Sequence, residues 1–404
     1  MITSYSLFQN IFSRPSTRPI FNNIHISSSL LNNASRIASI KNIKYGELDN
    51  SGSSALVSND DFANNIPHEN VFTRNKNTKK NIKKLLKNET CTVIGYGSQG
   101  RAQALNLRSY GINVCVGVRE KGNSWNLAKK DKFVPDSSLF SIPAAISRSS
   151  IIMLLVSDAG LIDLFPKIRY KLHNKTIYFS HGFGPVYKQH TGIHFDGLTN
   201  VDVIMVAPKG SGKSVRDLYK KGKGINSSYA VLRDDSKLAK DKALSLAFAI
   251  GSPYVYETTF ENEANSDLTG ERSILMGGIA GLFKAQYDVL RENGHSPSEA
   301  FNETVEEALQ SLYPLVNEKG MEFMFSNCSS TAQRGAIDWS KRFEDLNKPL
   351  IQEIYENVKS GREAERIIRC NSDVNYRENL NSELDKINKQ EIWLVGKEIR
   401  KLRS

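Results

Sequence analysis

Five carboxylates stand at helical spacing in the second half of this chain: Glu263, Asp267 and Glu271 at successive intervals of four residues, then Glu303 and Glu307 at the same interval. Such spacing stacks each set on one helix face. Glu263 alone reads as an ordinary solvated charge. Asp267 and Glu271 differ, because they run straight into "SILMGGIAGLF", whose apolarity all round and whose Gly277, Gly278 and Gly281 predict a buried, tightly packed helix. Like charges at this spacing cost only ~0.2–0.5 kcal/mol when exposed, whereas burying an unpaired carboxylate costs several kcal/mol. A buried acidic cluster therefore calls for cations. Oxygen ligands with no His or Cys close by in sequence select a hard ion, and Mg²⁺ fits better than Zn²⁺. Two helices each offering a carboxylate pair could hold two ions, which would clamp two neighbouring substrate oxygens.

A second constellation is "GYGSQG", comprising Gly95, Tyr96, Gly97, Ser98, Gln99 and Gly100. It follows the apolar run "CTVI" and opens an amphipathic segment, which is the context a dinucleotide loop needs. The first glycine makes the turn, the second admits the pyrophosphate to backbone N–H groups, and the third allows close helix–strand packing. At the end of the next apolar run, where an NAD enzyme places an acid for the ribose hydroxyl, this chain has Arg119. Arginine there suits a 2′-phosphate, so the expected cofactor is NADPH. Lys121 and Ser124 could add a charge and a hydroxyl, or could equally be loop polarity.

A third stretch, "APKGSGKS", has Ala207, four residues, then Gly212-Lys213-Ser214, the spacing of a triphosphate-binding loop. Such a loop must open a sustained helix, and here Gly222 and Gly224 interrupt the following segment within about two turns. The triphosphate reading is set aside, and Lys213 is expected to serve only the loop surface.

The elements that position these residues follow from the apolar pattern. "CTVIGYG", "INVCVGVR", "SSIIMLLVS", "TIYFSHG", "VDVIMVAP" and "YAVLRD" read as strands separated by helical crossovers, giving a Rossmann-type doubly wound parallel α/β domain. From residue 260 onward the texture is helical, and Ser296-Pro297-Ser298-Glu299 is a helix start with Ser as N-cap. The expected organisation is an organellar presequence over 1–46, a linker over 47–75, a dinucleotide-binding domain over 76–256 and an all-helical domain over 257–404.

The bulk properties agree with a soluble globular protein of two or three domains: 404 residues, 39 % hydrophobic, and no apolar run long enough to span a bilayer. Five of the eleven net positive charges lie in residues 1–46, which contain no acid and suit a mitochondrial presequence. A basic run over 73–87 holds no aromatic residue, so a nucleic-acid role is only a side reading. The four cysteines form no C-x-x-C pair and read as reduced thiols.

Together "GYGSQG…AQALNLR", "SHGF", "VAPKGSG", "SDLTGERSILMGG", "AQYDVLRENGHSPSEAFNETVEEALQSLYPL" and "EIWLVGKEIRKLR" resemble the ketol-acid reductoisomerases, in their short, fungal mitochondrial form, over about residues 80–404. The resemblance implies an NADPH-binding Rossmann domain, a knotted helical domain, two Mg²⁺ ions per active site, a mitochondrial matrix location, and a homodimer or larger assembly with a shared active site. Carried onto this chain, it makes Asp267 and Glu271 one metal pair and Glu303 and Glu307 the other, which in short forms reaches the site from the partner chain. His181 and Lys209 match polar active-site positions, Glu263 an outer acid, and Ser329 or its neighbour Ser330 a substrate contact. One departure is a longer loop after Arg119 than in many bacterial members, which weakens the carry-over for Ser124.

The implied reaction moves an alkyl group within 2-acetolactate or 2-aceto-2-hydroxybutyrate, precursors of valine and isoleucine, and then reduces the product with NADPH. Glu307 or a hydroxide on the metal could carry the proton; the sequence does not choose. The competing enzyme reading is an NADPH-dependent 3-hydroxyacid dehydrogenase, which needs no metal and leaves the carboxylate pattern unexplained.

Overall fold

The computed structural model of the chain describes residues 44–48, 54–57 and 70–403. The presequence expectation lies outside the described residues up to residue 43. Among them the strands are β1 (Lys44–Leu48), β2 (Ser54–Val57), β3 (Asn70–Thr73), β4 (Cys91–Ile94), β5 (Val114–Gly117), β6 (Leu139–Phe140), β7 (Ile151–Leu154), β8 (Thr176–Phe179), β9 (Asp202–Pro208), β10 (Ser227–Asp234) and β11 (Tyr254–Glu257). They form one sheet in the order β2-β1-β3-β11-β10-β9-β8-β7-β4-β5-β6.

The run from β6 through β5, β4, β7 and β8 to β9 is parallel throughout. Numbered by first appearance in that set, it has the 3-2-1-4-5-6 order of a doubly wound dinucleotide fold. Every residue of β4, β5, β7 and β8 is buried, as helices on both faces require. Helix Ser98–Tyr110 covers one face and buries two amides along with its alanines and leucines. Gln103 donates to Ser180 Oγ at 2.8 Å and accepts from Tyr178 Oη at 2.8 Å, while Asn106 donates to the Ile250 carbonyl at 2.7 Å. Those bonds satisfy the buried amides.

One expectation about the sheet needs correction. β10 was expected within the parallel set but pairs antiparallel with β9, Ser227 opposite Pro208. Short helix Gly212–Lys220 does not recross the sheet, so the chain returns at the same end it left. The expected linker over 47–75 contains β2, and its end forms β3, which pairs antiparallel with β11 and buries Phe72 completely. The basic run that follows is an amphipathic helix, Thr78–Leu85, with Ile82 in the core and its lysines outward. A solvated charged face accounts for those lysines.

The remainder is helical: Phe260–Arg272, Gly277–Glu292, Pro297–Phe301, Tyr313–Lys319, Met321–Ser326, Ser330–Lys359, Arg362–Asn371, Tyr376–Asn388 and Glu391–Lys401. Ser296 caps its helix as expected, accepting from Glu299 N at 3.2 Å. Between Phe301 and Tyr313 the backbone widens into two π-helical turns, Asn302–Glu306 and Ala308–Leu312. Such turns are rare and concentrate at functional sites. No described helix is long and apolar enough to cross a membrane.

The helix expected over "SILMGGIAGLF" begins only at Gly277 and is not buried in this chain. Helix Phe260–Arg272 ends before it, and Ile274, Leu275 and Met276 form an exposed turn at 63–64 % accessibility. Apolarity all round signals a need for cover but does not say that the same chain supplies it.

Arg272 at the end of that helix is tied to the helix Arg362–Asn371. Its Nε donates to Glu363 Oε1 at 2.8 Å, and Arg366 grips the same carboxylate at 2.6 and 2.9 Å. The Arg366 hydrogen bonds, with Arg272 behind them, overcome burial and hold Glu363 down to about 2. Its contribution is therefore complete above the ordinary 4.5 and lost as pH falls through 2. Glu363→Gln is expected to destabilise the fold by about 2 kcal/mol at pH 7. Urea unfolding should show wild type and variant converging toward pH 2.

Candidate functional site

The glycine loop sits at the carboxyl end of β4, where ligands bind in open α/β sheets. Gly95 has φ +95°, and a Cβ there would lie 2.6 Å from the Leu155 carbonyl oxygen; a Cβ on Gly100 would lie 2.4 Å from the Gly95 oxygen. Around Gly97 the space is open, and this residue caps helix Ser98–Tyr110 without a side-chain acceptor. The first-turn N–H groups are thus left for an anion.

The other loop residues have separate tasks. Tyr96 is buried, edge-on to Phe133, and its hydroxyl donates to Asp131 Oδ2 at 2.9 Å. Gln99 donates to the Gly210 carbonyl at 2.9 Å, lashing the loop after β9 to the glycine loop. A Cβ on Gly212 would lie 2.2 Å from the Ser98 oxygen, so the first turn of one helix fills the place a triphosphate would need at the next. Lys213 pairs on the surface with Asp217 at 3.0 Å. Arg119 is exposed just beyond β5, and Ser124 lies in the first turn of helix Asn123–Lys130.

The acidic residues assemble beside this loop, where helix Phe260–Arg272 meets the end of β8. The helix comes so near that a Cβ on Gly182 would lie 2.3 Å from the Phe260 oxygen, so the position admits only glycine. Thr259 caps the helix by accepting from Asn262 N at 3.0 Å. One turn on, Glu263 is not the outward charge its sequence suggested: its side chain is 1 % exposed. His181 Nδ1 donates to Oε2 at 3.0 Å, the Gly182 N–H donates to the same oxygen at 2.8 Å, and Lys209 Nζ donates to Oε1 at 3.0 Å.

Electrostatics fixes the charge states. Burial opposes ionisation of Glu263, but His181, Lys209 and the Gly182 amide outweigh it and hold the carboxyl down to about 2. Burial likewise opposes charge on His181, yet the Glu263 hydrogen bond and the nearby carboxylates, Asp267 and Asp158 included, push it up to about 9. Lys209 is raised too, its desolvation overcome by Glu263. At neutral pH the cluster is imidazolium, carboxylate and ammonium.

Asp267 lies 3.4 Å from His181 Nδ1, and the ligand atoms of His181, Glu263 and Asp267 fall within 4.8 Å of one another. An imidazolium offers no lone pair, so His181 does not complete a metal site by itself. Asp267 and Glu271 are partly open to solvent, and burial followed by Asp267 raises Glu271 above its ordinary value. A hard divalent cation fits this donor set of carboxylate oxygens, relieving the repulsion that raises Glu271.

The remaining sequence candidates stand apart from this group. Glu303 and Glu307 are exposed on the π-helical segment, and neither joins the grouped ligand atoms among the described residues. Ser329 is exposed, and its hydroxyl caps helix Ser330–Lys359, accepting from Ala332 N at 3.2 Å. Sequence reasoning missed the Gly182 amide and Asp158. The latter opens helix Asp158–Ile168 behind the cap Ser157, and that cap was the available signal.

Comparison with known proteins matches residues 85–254 to the family model "Acetohydroxy acid isomeroreductase, NADPH-binding domain" and residues 260–404 to "Ketol-acid reductoisomerase, C-terminal domain". The mitochondrial ketol-acid reductoisomerase of Saccharomyces cerevisiae is 55 % identical over 83 % of this chain and 85 % of its own. A ketol-acid reductoisomerase (NAD(+)) of Desulfosudis oleivorans is 52 % identical over 83 % of this chain and 95 % of its own. Among solved structures, an NADH-preferring ketol-acid reductoisomerase from an uncultured archean superposes with a TM-score of 0.70 at 32 % identity, covering 79 % of this chain and 96 % of that one.

Proposed function

The chain belongs to the ketol-acid reductoisomerase family, and from that premise we propose that it acts on 2-acetolactate and 2-aceto-2-hydroxybutyrate with NADPH and two Mg²⁺ ions in the mitochondrial matrix. The observation that carries the reading is the His181–Glu263–Lys209 cluster, charged throughout, beside Asp267 and next to an open dinucleotide loop.

The site's own residues divide the work. The cations would be held by Asp267 and Glu271 with Glu303 and Glu307, and would supply Lewis acidity for the alkyl shift. NADPH would supply the hydride that reduces the rearranged 2-keto acid. Lys209 offers its ammonium, and His181 its charged ring, as donors to substrate oxygens that gain negative charge during migration. Glu263 is a positioning residue: it aims both donors and keeps them protonated, while Gly182 N–H pins Glu263 itself. Ser329 stands at a helix start as a hydroxyl for the substrate carboxylate, and Glu307 as the proton carrier.

Two further points belong to the same reading. Glu303 and Glu307 complete the site from a second copy; among the described residues neither joins the ligand atoms of His181, Glu263 and Asp267, which is consistent with that reading. The exposed Ile274, Leu275, Met276, Trp339, Phe343 and Leu346 support it too, as an apolar surface in need of a partner. A nucleic-acid role gains nothing from the Thr78–Leu85 helix.

The test is the mature chain with 2-acetolactate, NADPH and Mg²⁺, with the 2,3-dihydroxy acid identified by mass. Full turnover in EDTA would remove the metal account, and turnover of simple 3-hydroxy acids would favour the dehydrogenase reading. Cofactor choice is tested at Arg119. Arg119→Asp is expected to lower the NADPH/NADH ratio of kcat/KM by about 10–100-fold, the loss of a charge-assisted contact of ~1.5–3 kcal/mol. An unchanged ratio would show that Arg119 does not read the 2′-phosphate.

A further inference from the structure

Away from the catalytic cluster, a cleft of about 650 Å³ opens between helices Ser98–Tyr110 and Gly212–Lys220, bounded by the turn after helix Asn123–Lys130. Ala102 and Leu105 lie in it; most of the other lining residues are cationic. The two carboxylates in the lining are already engaged. Arg101 grips Asp131 at 2.7 and 3.0 Å, and Lys213 pairs with Asp217 at 3.0 Å. No acid of the lining forms an ion pair with Arg108, Lys130, Lys132, Arg216 or Lys220, although Asp131 attracts Arg108 and Arg216, and Asp217 attracts Lys220, at longer range.

The arginines are held in place rather than free. Arg108 lies over the Phe133 ring at 4.2 Å and donates to the Asp131 carbonyl at 2.7 Å. Arg216 donates through Nη1 to Asn106 Oδ1 at 2.7 Å and to Ser109 Oγ at 3.3 Å, while its buried Nε has no hydrogen-bond partner. The cleft therefore carries a surplus of positive charge, with two of its guanidinium groups fixed in place by packing and hydrogen bonds.

We propose that this cleft binds a small anion carrying two or more phosphate groups. Fixed guanidinium forks and mobile ammonium groups together match several phosphate oxygens, where a single carboxylate would engage only one of them. The volume suits a compact polyphosphate ester. Among the described residues no aromatic side chain lines the cleft, so bases of a nucleic-acid strand find nothing there to stack on. The site differs from the dinucleotide site: Ser98 is shared at the rim, but Gly95, Gly97, Arg119 and Ser124 do not line it. The inference does not depend on the catalytic reading.

The test is calorimetric titration of the full chain with inorganic tripolyphosphate, with NADPH saturating so that the dinucleotide loop is filled. Binding should persist, weaken as salt rises, and fall at least tenfold in the doubly substituted Lys130→Glu/Lys220→Glu protein, whose changes are both on exposed residues. NADPH affinity and the thermal midpoint of that variant should match wild type. Loss of tripolyphosphate binding on NADPH saturation would place the anion in the cofactor loop and overturn the proposal. So would undiminished binding by the variant, or binding of duplex DNA without binding of tripolyphosphate. If the variant melts early, Lys130→Gln and Lys220→Gln singly replace it, and each should still weaken binding.

Discussion

Replacing Glu303 by Gln is expected to lower turnover of 2-acetolactate by roughly 10³-fold, on the scale of losing one preorganised charge from an active site, with NADPH affinity within twofold of wild type. The substitution keeps size and hydrogen-bonding capacity but removes the charge that would hold a cation. Glu303 is exposed, and its carbonyl accepts from Gln286 Nε2 at 3.0 Å, a bond that the substitution leaves in place, so the fold should not suffer. The change also tests assembly. If Glu303 of one copy works with Asp267 of another, Glu303→Gln and Asp267→Asn chains are each inactive alone. A mixed dimer of the two regains one intact site. Co-expression at equal levels should therefore recover about a quarter of wild-type activity, the outcome of random pairing in a two-fold dimer. No recovery would mean that both acidic pairs act within one chain. High activity of Glu303→Gln alone would remove this residue from the site.

The dinucleotide half was legible because its signals are local. An apolar strand, a glycine turn and a helix closed by Gly111 occupy adjacent residues, and the structure has them where the pattern puts them. What could not be read depends on the third dimension. The direction of β10 hangs on where the chain re-enters the sheet, and the apolar pattern of a strand is the same either way. The two-residue strand β6 is too short to show any period. Ile274, Leu275 and Met276 read as part of a buried helix, and the structure has them as an exposed turn of this chain. Glu263 shows the limit most sharply. Its spacing put it on a face with Asp267 and Glu271, but its depth comes from Gly182 letting the helix close down on the end of β8, a contact 81 residues away in sequence.

That depth makes Glu263→Gln the second large effect. The substitution leaves the amide able to accept from Gly182 N–H but strips the counter-charge from two partly buried cations. Removing one partner from such a buried ionic group costs about 3–5 kcal/mol, because the charges left behind are uncompensated. Part of that will be lost stability and part lost catalysis, and the pH dependence separates them. In wild type the cluster is complete where Glu263 is ionised and His181 protonated. The His181 contribution is full below its ordinary 6.5 and is lost as pH rises through about 9. The Glu263 contribution is full above 4.5 and is lost as pH falls through about 2. Without Glu263, burial of His181 is opposed by the more distant carboxylates Asp267, Asp158 and Glu271, so its proton leaves at lower pH than in wild type. If protonated His181 is a donor to the substrate, the alkaline limb of the kcat/KM profile should move toward neutrality, with activity at pH 8 reduced about 10²-fold or more. A variant that only packs poorly would melt earlier yet keep the wild-type shape of that profile, and that result would return Glu263 to a structural role.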